Sequence, residues 1–205
     1  MAYGTIPSVE IVEKTKKAIE ERGIEVILAA DRADALAKIK ALITGGASVM
    51  SGSSRTLDEI GFVEYLKSGQ HGWKNLHAEV LAETDKEKQA VLRRQSVLSD
   101  YYLGSVHAIA ETGEMVIASA SGSQLPHIVF TSPNIIFVAG TQKIVPNLIE
   151  AMRRVEEYVY PLEDKRMKDA GYPGSMIAKL LIFNREHPMM GRKVRLILIP
   201  ELLGF

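Results

Sequence analysis

The chain has 205 residues, 46% of them hydrophobic and 24% charged, with 25 Lys+Arg balanced by 25 Asp+Glu and no cysteine. Those values suit a soluble globular protein and leave no net basic footprint for nucleic acid. They also exclude disulfides, thiol nucleophiles and cysteine-held iron–sulfur clusters within this chain.

Val9, Val12, Ala18 and Ile19 recur at helical spacing before Gly23, a helix stop. Ile24 to Ala29 reads as a buried strand. Asp31 then caps a helix carrying Ala35, Leu36, Ile39, Leu42 and Ile43, which Gly45-Gly46 breaks. Residues 1–43 form a less typical helix–strand–helix start to a single unit spanning 1–205. The strand Ala47 to Met50 delivers the chain to Ser51-Gly52-Ser53-Ser54-Arg55-Thr56-Leu57-Asp58-Glu59. Thr56 with Glu59 three places on is a capping box, so a helix is predicted from there. A strand, a small polar loop and a helix N-terminus offer free N–H groups to an anion, and Arg55 adds a charged fork for phosphate or carboxylate. Ser51, Gly52, Ser53, Ser54, Arg55 and Thr56 are therefore candidate ligand contacts. The same residues also suit a well-capped turn with Arg55 in solvent. The pattern is neither a Walker loop nor a dinucleotide fingerprint.

Gly69 to Asn75 reads as a turn and Asp85 to Asp100 as a charged helix. Val106 to Ala110 and Met115 to Ala120 are apolar runs around Glu111-Thr112-Gly113-Glu114, the pattern of a hairpin. A flexible loop, Ser121 to His127, follows. In it Gln124 and His127 are polar candidates, although His127 equally suits a strand cap. Asn134 to Ala139 is a further buried strand. Lys143 comes just after it and before a helix starting near Pro146, so it would point to the crevice where α/β proteins bind ligands, unless it is an ordinary exposed loop lysine. Leu148, Met152, Val155 and Val159 form that helix's core stripe, and Met176 to Phe183 and Lys193 to Pro200 are late strands. The whole alternation predicts an α/β fold, a mainly parallel sheet with helices on both faces and some antiparallel strands. The histidines stand apart from partners at metal-ligand spacing, so no metal site is expected, and no cofactor motif is present. No apolar run is long enough for a membrane span and no leader pattern opens the chain, which makes the cytoplasm the expected compartment.

Five segments in order carry a family resemblance: Ser51 to Gly61, Val106 to Glu114, Ser121 to Gln124, Gly140 to Leu148 and Glu201 to Phe205. Together they resemble the lactate-utilization (LUD) domain family, of the lactate utilization protein C type, over the chain from about Ile43 onward. The resemblance implies a three-layer fold related to sugar-phosphate isomerases and type I coenzyme A transferases. It implies a pocket at the strand ends in which the Gly-rich loop faces an anionic ligand. Related enzymes use an acidic residue on a neighbouring loop, which makes Glu111 the candidate catalytic carboxylate, with Thr112 and Gly113 beside it. Family members commonly carry Thr-Gly-Thr where this chain has Thr112-Gly113-Glu114, so Glu114 departs from the pattern. Equally, Glu111 and Glu114 could simply solvate a hairpin.

Two functions follow from the resemblance. One is a non-redox or ligand-binding component of L-lactate oxidation to pyruvate, with iron–sulfur partners carrying the electrons. The other is a stand-alone enzyme of isomerase, acyl or coenzyme A transferase, or cyclo-ligase type, acting on an anionic small molecule through Glu111. Neither requires nucleic acid or a membrane, and both are compatible with a homo-oligomer.

Overall fold

The computed structural model describes residues 3–205. In chain order the elements are α1 Val9–Glu20, β1 Glu25–Leu28, α2 Arg32–Leu42, β2 Ser48–Ser51, α3 Arg55–Glu59, α4 Phe62–Ser68, β3 Lys74–Asn75, α5 Leu76–Ala82 and α6 Lys86–Gln95. They continue as β4 Tyr101–Gly104, β5 Ala108–Ala110, β6 Met115–Ser119, β7 Asn134–Gly140, β8 Ile144–Val145, α7 Leu148–Arg154, α8 Tyr160–Asp169, β9 Lys179–Phe183 and β10 Lys193–Ile199. A six-stranded sheet has the order β1-β10-β7-β4-β2-β3, with every neighbouring pair parallel. A second sheet, β8-β5-β6-β9, is antiparallel at β5/β6 and β6/β9 and parallel at β5/β8. The fold is thus α/β with a mainly parallel sheet, and the antiparallel strands gather in a sheet of their own.

Strand β7 is a near-continuous apolar run because both of its faces are covered. Successive side chains alternate between two cores. Ile135, Phe137 and Ala139 join Ile19 of α1 and Ile109, Met115, Ile117 and Phe183 of the smaller sheet. Ile136 and Val138 join Ala35, Ile39, Leu57 and Phe62 beneath α2, α3 and α4. The far face of the smaller sheet, with Ala108, Val116 and Val145, is closed by Ala151 and Val155. One face of the parallel sheet is therefore helical, and the other is shared by α1 and the smaller sheet.

The caps set where helices begin. Asp31 accepts from the Asp34 N–H at 2.9 Å, as its sequence position suggests. At α3 the cap is Ser54, which accepts from the Leu57 N–H at 3.3 Å, and not Thr56. Thr56 is buried and its hydroxyl turns inward. The charged helix stops at Gln95 rather than Asp100, because Asp100 leads into β4 and its carboxylate accepts from the Ser48 N–H and hydroxyl. Among the described residues no helix is long and apolar enough to cross a membrane.

Candidate functional site

A cleft of about 240 Å³ opens where β2, β4, β7 and β10 end, because the segments that follow them (Gly52 to Thr56, Ser105 to His107, Lys143 and Gly204) all line it. This is the carboxyl edge of a parallel sheet, where α/β folds bind ligands. The opposite wall carries Glu163 and Arg166 of α8 and the buried Val155 and Val159, which serve the core and the cleft together.

Lys143 lies at its floor, only 2% exposed. Its ammonium donates to Thr56 Oγ1 at 3.1 Å, Ser105 Oγ at 3.0 Å and the Val106 carbonyl at 3.1 Å. The turn that places it, Thr141–Lys143, is pinned by Gln142 Nε2 donating to the Leu203 carbonyl at 2.7 Å. Among the described residues no carboxylate forms an ion pair with Lys143. Burial, helped by the Arg154 charge and opposed by Glu59, brings its pKa down to about 7.

Two further basic groups stand beside it. His107 accepts from the Ala118 N–H at Nδ1, 3.1 Å away, which leaves the ring proton on Nε2. Burial, then Lys143 and Arg154, hold its pKa down at about 3, so it is a neutral donor at physiological pH. Arg154 is completely buried. It donates through Nη1 to the His107 carbonyl, lies 5.1 Å from the centre of the Tyr158 ring, and leaves Nε and Nη2 without partners among the described residues. Burial lowers its pKa to about 10, which still leaves it charged at neutral pH. The local charge is an excess of buried cation.

The structure brings together the two small-residue loops. Gly52 sits where a Cβ would lie 3.0 Å from the Tyr102 hydroxyl, and that hydroxyl donates to Gln124 Oε1 at 3.5 Å. Gln124 in turn donates to the Ala118 carbonyl at 3.0 Å. Beyond Tyr102 lies a second recess of about 150 Å³, with Ser51, His77, Arg93 and His127 in its walls. There His127 stacks on Tyr102 with ring centres 4.7 Å apart and bonds Ser99 and Ser132 through Nδ1, at 3.1 and 3.0 Å. Burial puts its pKa at about 4, so it is not an acid for neutral-pH chemistry. Ser53 and Ser54 reach the main cleft, whereas Arg55 at its rim is already paired with Glu59 at 2.9 Å.

Glu111, Thr112 and Gly113 require a correction, because their turn packs on α1 and lines neither hollow. Glu111 pairs with Lys14 at 2.8 Å, Arg22 donates to the Thr112 carbonyl at 2.9 Å, and Arg22 pairs with Glu114 at 2.7 Å. Gly113 holds φ +100° with a Cβ position only 2.7 Å from the Ala18 carbonyl oxygen, so the glycine serves that close approach. Tyr102, Ser105 and His107 also line the cleft, and Arg154 is buried against His107, although no sequence motif marks any of the four. The strand that Ser105 and His107 follow, Tyr101–Gly104, was not among those expected, so nothing marked them as strand-end residues in the way that Lys143 was marked.

The family model for the LUD domain matches residues 12–173. The chain belongs to the LUD domain family. No match was found among curated proteins. Among solved structures, this LUD domain is similar to a DUF162 family protein from Deinococcus radiodurans, with 14% identity, a TM-score of 0.51, and coverage of 95% of this chain and 98% of that one. At that identity the likeness is one of fold. The family context is related to lactate utilization.

Proposed function

We propose that this LUD domain is a non-redox component of lactate utilization that holds a small carboxylate anion in the Lys143 cleft, while an iron–sulfur partner carries the electrons. The observation that supports this most is the unmatched positive charge of Lys143 and Arg154, two buried cations without a carboxylate ion pair among the described residues. A buried charge without a partner is costly, and a bound carboxylate would remove that cost for Lys143. The lack of cysteine fits a division of labour in which the redox centre sits on another chain.

Anion binding would favour the protonated amine, so affinity should be highest below pH about 7 and fall as Lys143 loses its proton. Thermal unfolding with L-lactate, pyruvate and inorganic phosphate is the test. A ligand at a hundred times its Kd adds about 2.7 kcal/mol, which for a chain of this size raises Tm by roughly 5–10 °C. Unchanged melting at pH 6.5 with all three anions at tens of millimolar would sink the proposal. A second reading, an enzyme acting on an anionic small molecule, is favoured by a near-neutral amine beside a serine hydroxyl, but not through Glu111.

A further inference from the structure

Ser105 and Lys143 both line the cleft, Ser105 partly exposed and the amine almost completely enclosed. The Ser105 hydroxyl makes its shortest donation to the Val138 carbonyl at 2.7 Å, with Thr56 Oγ1 at 3.2 Å and the Val106 carbonyl at 3.3 Å also in reach, while accepting from Lys143 at 3.0 Å. When the amine is neutral, rotation about one bond turns the same hydroxyl onto Nζ. Thr56 Oγ1 and the Val106 carbonyl hold the amine in position through that change.

We propose that Ser105 and Lys143 form a nucleophile–base pair that transfers an acyl group from a thioester or activated ester of a small acid. Ser105 Oγ attacks the carbonyl carbon as its proton passes to Nζ, forming a C–O bond and a tetrahedral oxyanion. The carbon–sulfur bond then breaks, and the Nζ proton leaves with the thiolate. Acyl-Ser105 and free thiol remain. Water attacks the ester next, giving its proton to Nζ. Collapse of the intermediate returns that proton to Ser105 and releases the carboxylic acid. The net change is thioester plus water to acid plus thiol. Nε2–H of His107, in the wall of the same cleft, is a neutral donor of the kind that stabilises an oxyanion. The groups that bear on the Lys143 charge are Arg154 and Glu59, in opposite directions. Serine–lysine pairs carry out acyl transfer on unrelated folds, so geometry and not ancestry is the argument.

This inference shares the cleft with the lactate-pathway reading but does not need lactate. Wild type, Ser105→Ala and Lys143→Arg are incubated with an alkyl fluorophosphonate between pH 6 and 9, and adducts are mapped by intact-protein and peptide mass spectrometry. Lys143→Arg keeps a cation in place but cannot act as a base in that range. A single adduct on Ser105 is expected, absent in Ser105→Ala, with a rate that rises through pH about 7 as the amine deprotonates. The rate should drop at least about a hundredfold in Lys143→Arg, the lower end of general-base contributions. Circular dichroism separates loss of labelling from loss of fold, and p-nitrophenyl acetate turnover by wild type provides a second readout. An unlabelled Ser105 in folded wild type, or Lys143→Arg labelling at the wild-type rate, overturns the pair. Binding of L-lactate, pyruvate and inorganic phosphate to unmodified wild type is measured separately. Failure of all three to bind, alongside normal labelling, would remove only the lactate-pathway reading.

Discussion

Lys143 is stabilised by three neutral oxygens where a carboxylate would do more, and that choice has a pH signature. Its pKa falls from 10.5 in the free side chain to about 7 here. Between those values the unfolded chain holds a proton that the folded chain lacks, so stability rises with pH across the window. Below pH 7 the amine is charged in both states and the full cost of its burial is present. Each pH unit of displacement corresponds to ~1.4 kcal/mol. Lys143→Met should therefore lose ground to wild type by at least about 2 kcal/mol between pH 6.5 and pH 9.5. Urea unfolding of both proteins at the two pH values measures this, and a constant difference would mean that the folded amine keeps its ordinary pKa. At this scale Lys143 was legible because it sits between an apolar strand and a helix. Ser105 was not, since a lone serine after Gly104 carries no pattern, and one arginine within a helix carries no sign of its burial.

At the scale of elements, most strands declared themselves as apolar runs, and Asp31 as a cap. What the sequence could not convey was the division of strands between sheets, because pairing depends on partners far apart in the chain. The hairpin around Glu111 was read correctly as antiparallel β5 and β6, but its tip faces α1. Local turn chemistry does not say which neighbour a turn will meet. Lys14 is 68% exposed, and such surface pairs contribute about 0–1 kcal/mol. Glu111→Gln should accordingly lower stability by less than ~1 kcal/mol and leave anion affinity and Ser105 labelling unchanged. Denaturant melts and calorimetry check it, and a tenfold loss of affinity would restore the turn to the site. The Thr56 capping box failed for a related reason. Ser54 was equally able to cap, which freed the Thr56 hydroxyl for the Lys143 cluster.

At the scale of the whole molecule, the parallel sheet was predictable from alternating strands and helices, and the cleft at its carboxyl edge follows from that architecture. The smaller sheet was not, because β8 has two residues and β5 three. The chain steps from the parallel sheet to the smaller one at Ser105–His107, between β4 and β5, and again at Thr141–Lys143, between β7 and β8. These crossings are fastened to each other by the bonds from Lys143 to Ser105 and to the Val106 carbonyl. The amine is thus a latch between them, and parting the sheets at this edge would release it. Occupancy of the cleft should then be felt at a distance. Hydrogen exchange in the presence of a bound anion should slow at β5 and β8 as well as at β4 and β7, giving one cooperative opening unit. Slowing confined to the Gly52–Thr56 loop would mean that the sheets breathe independently of the latch.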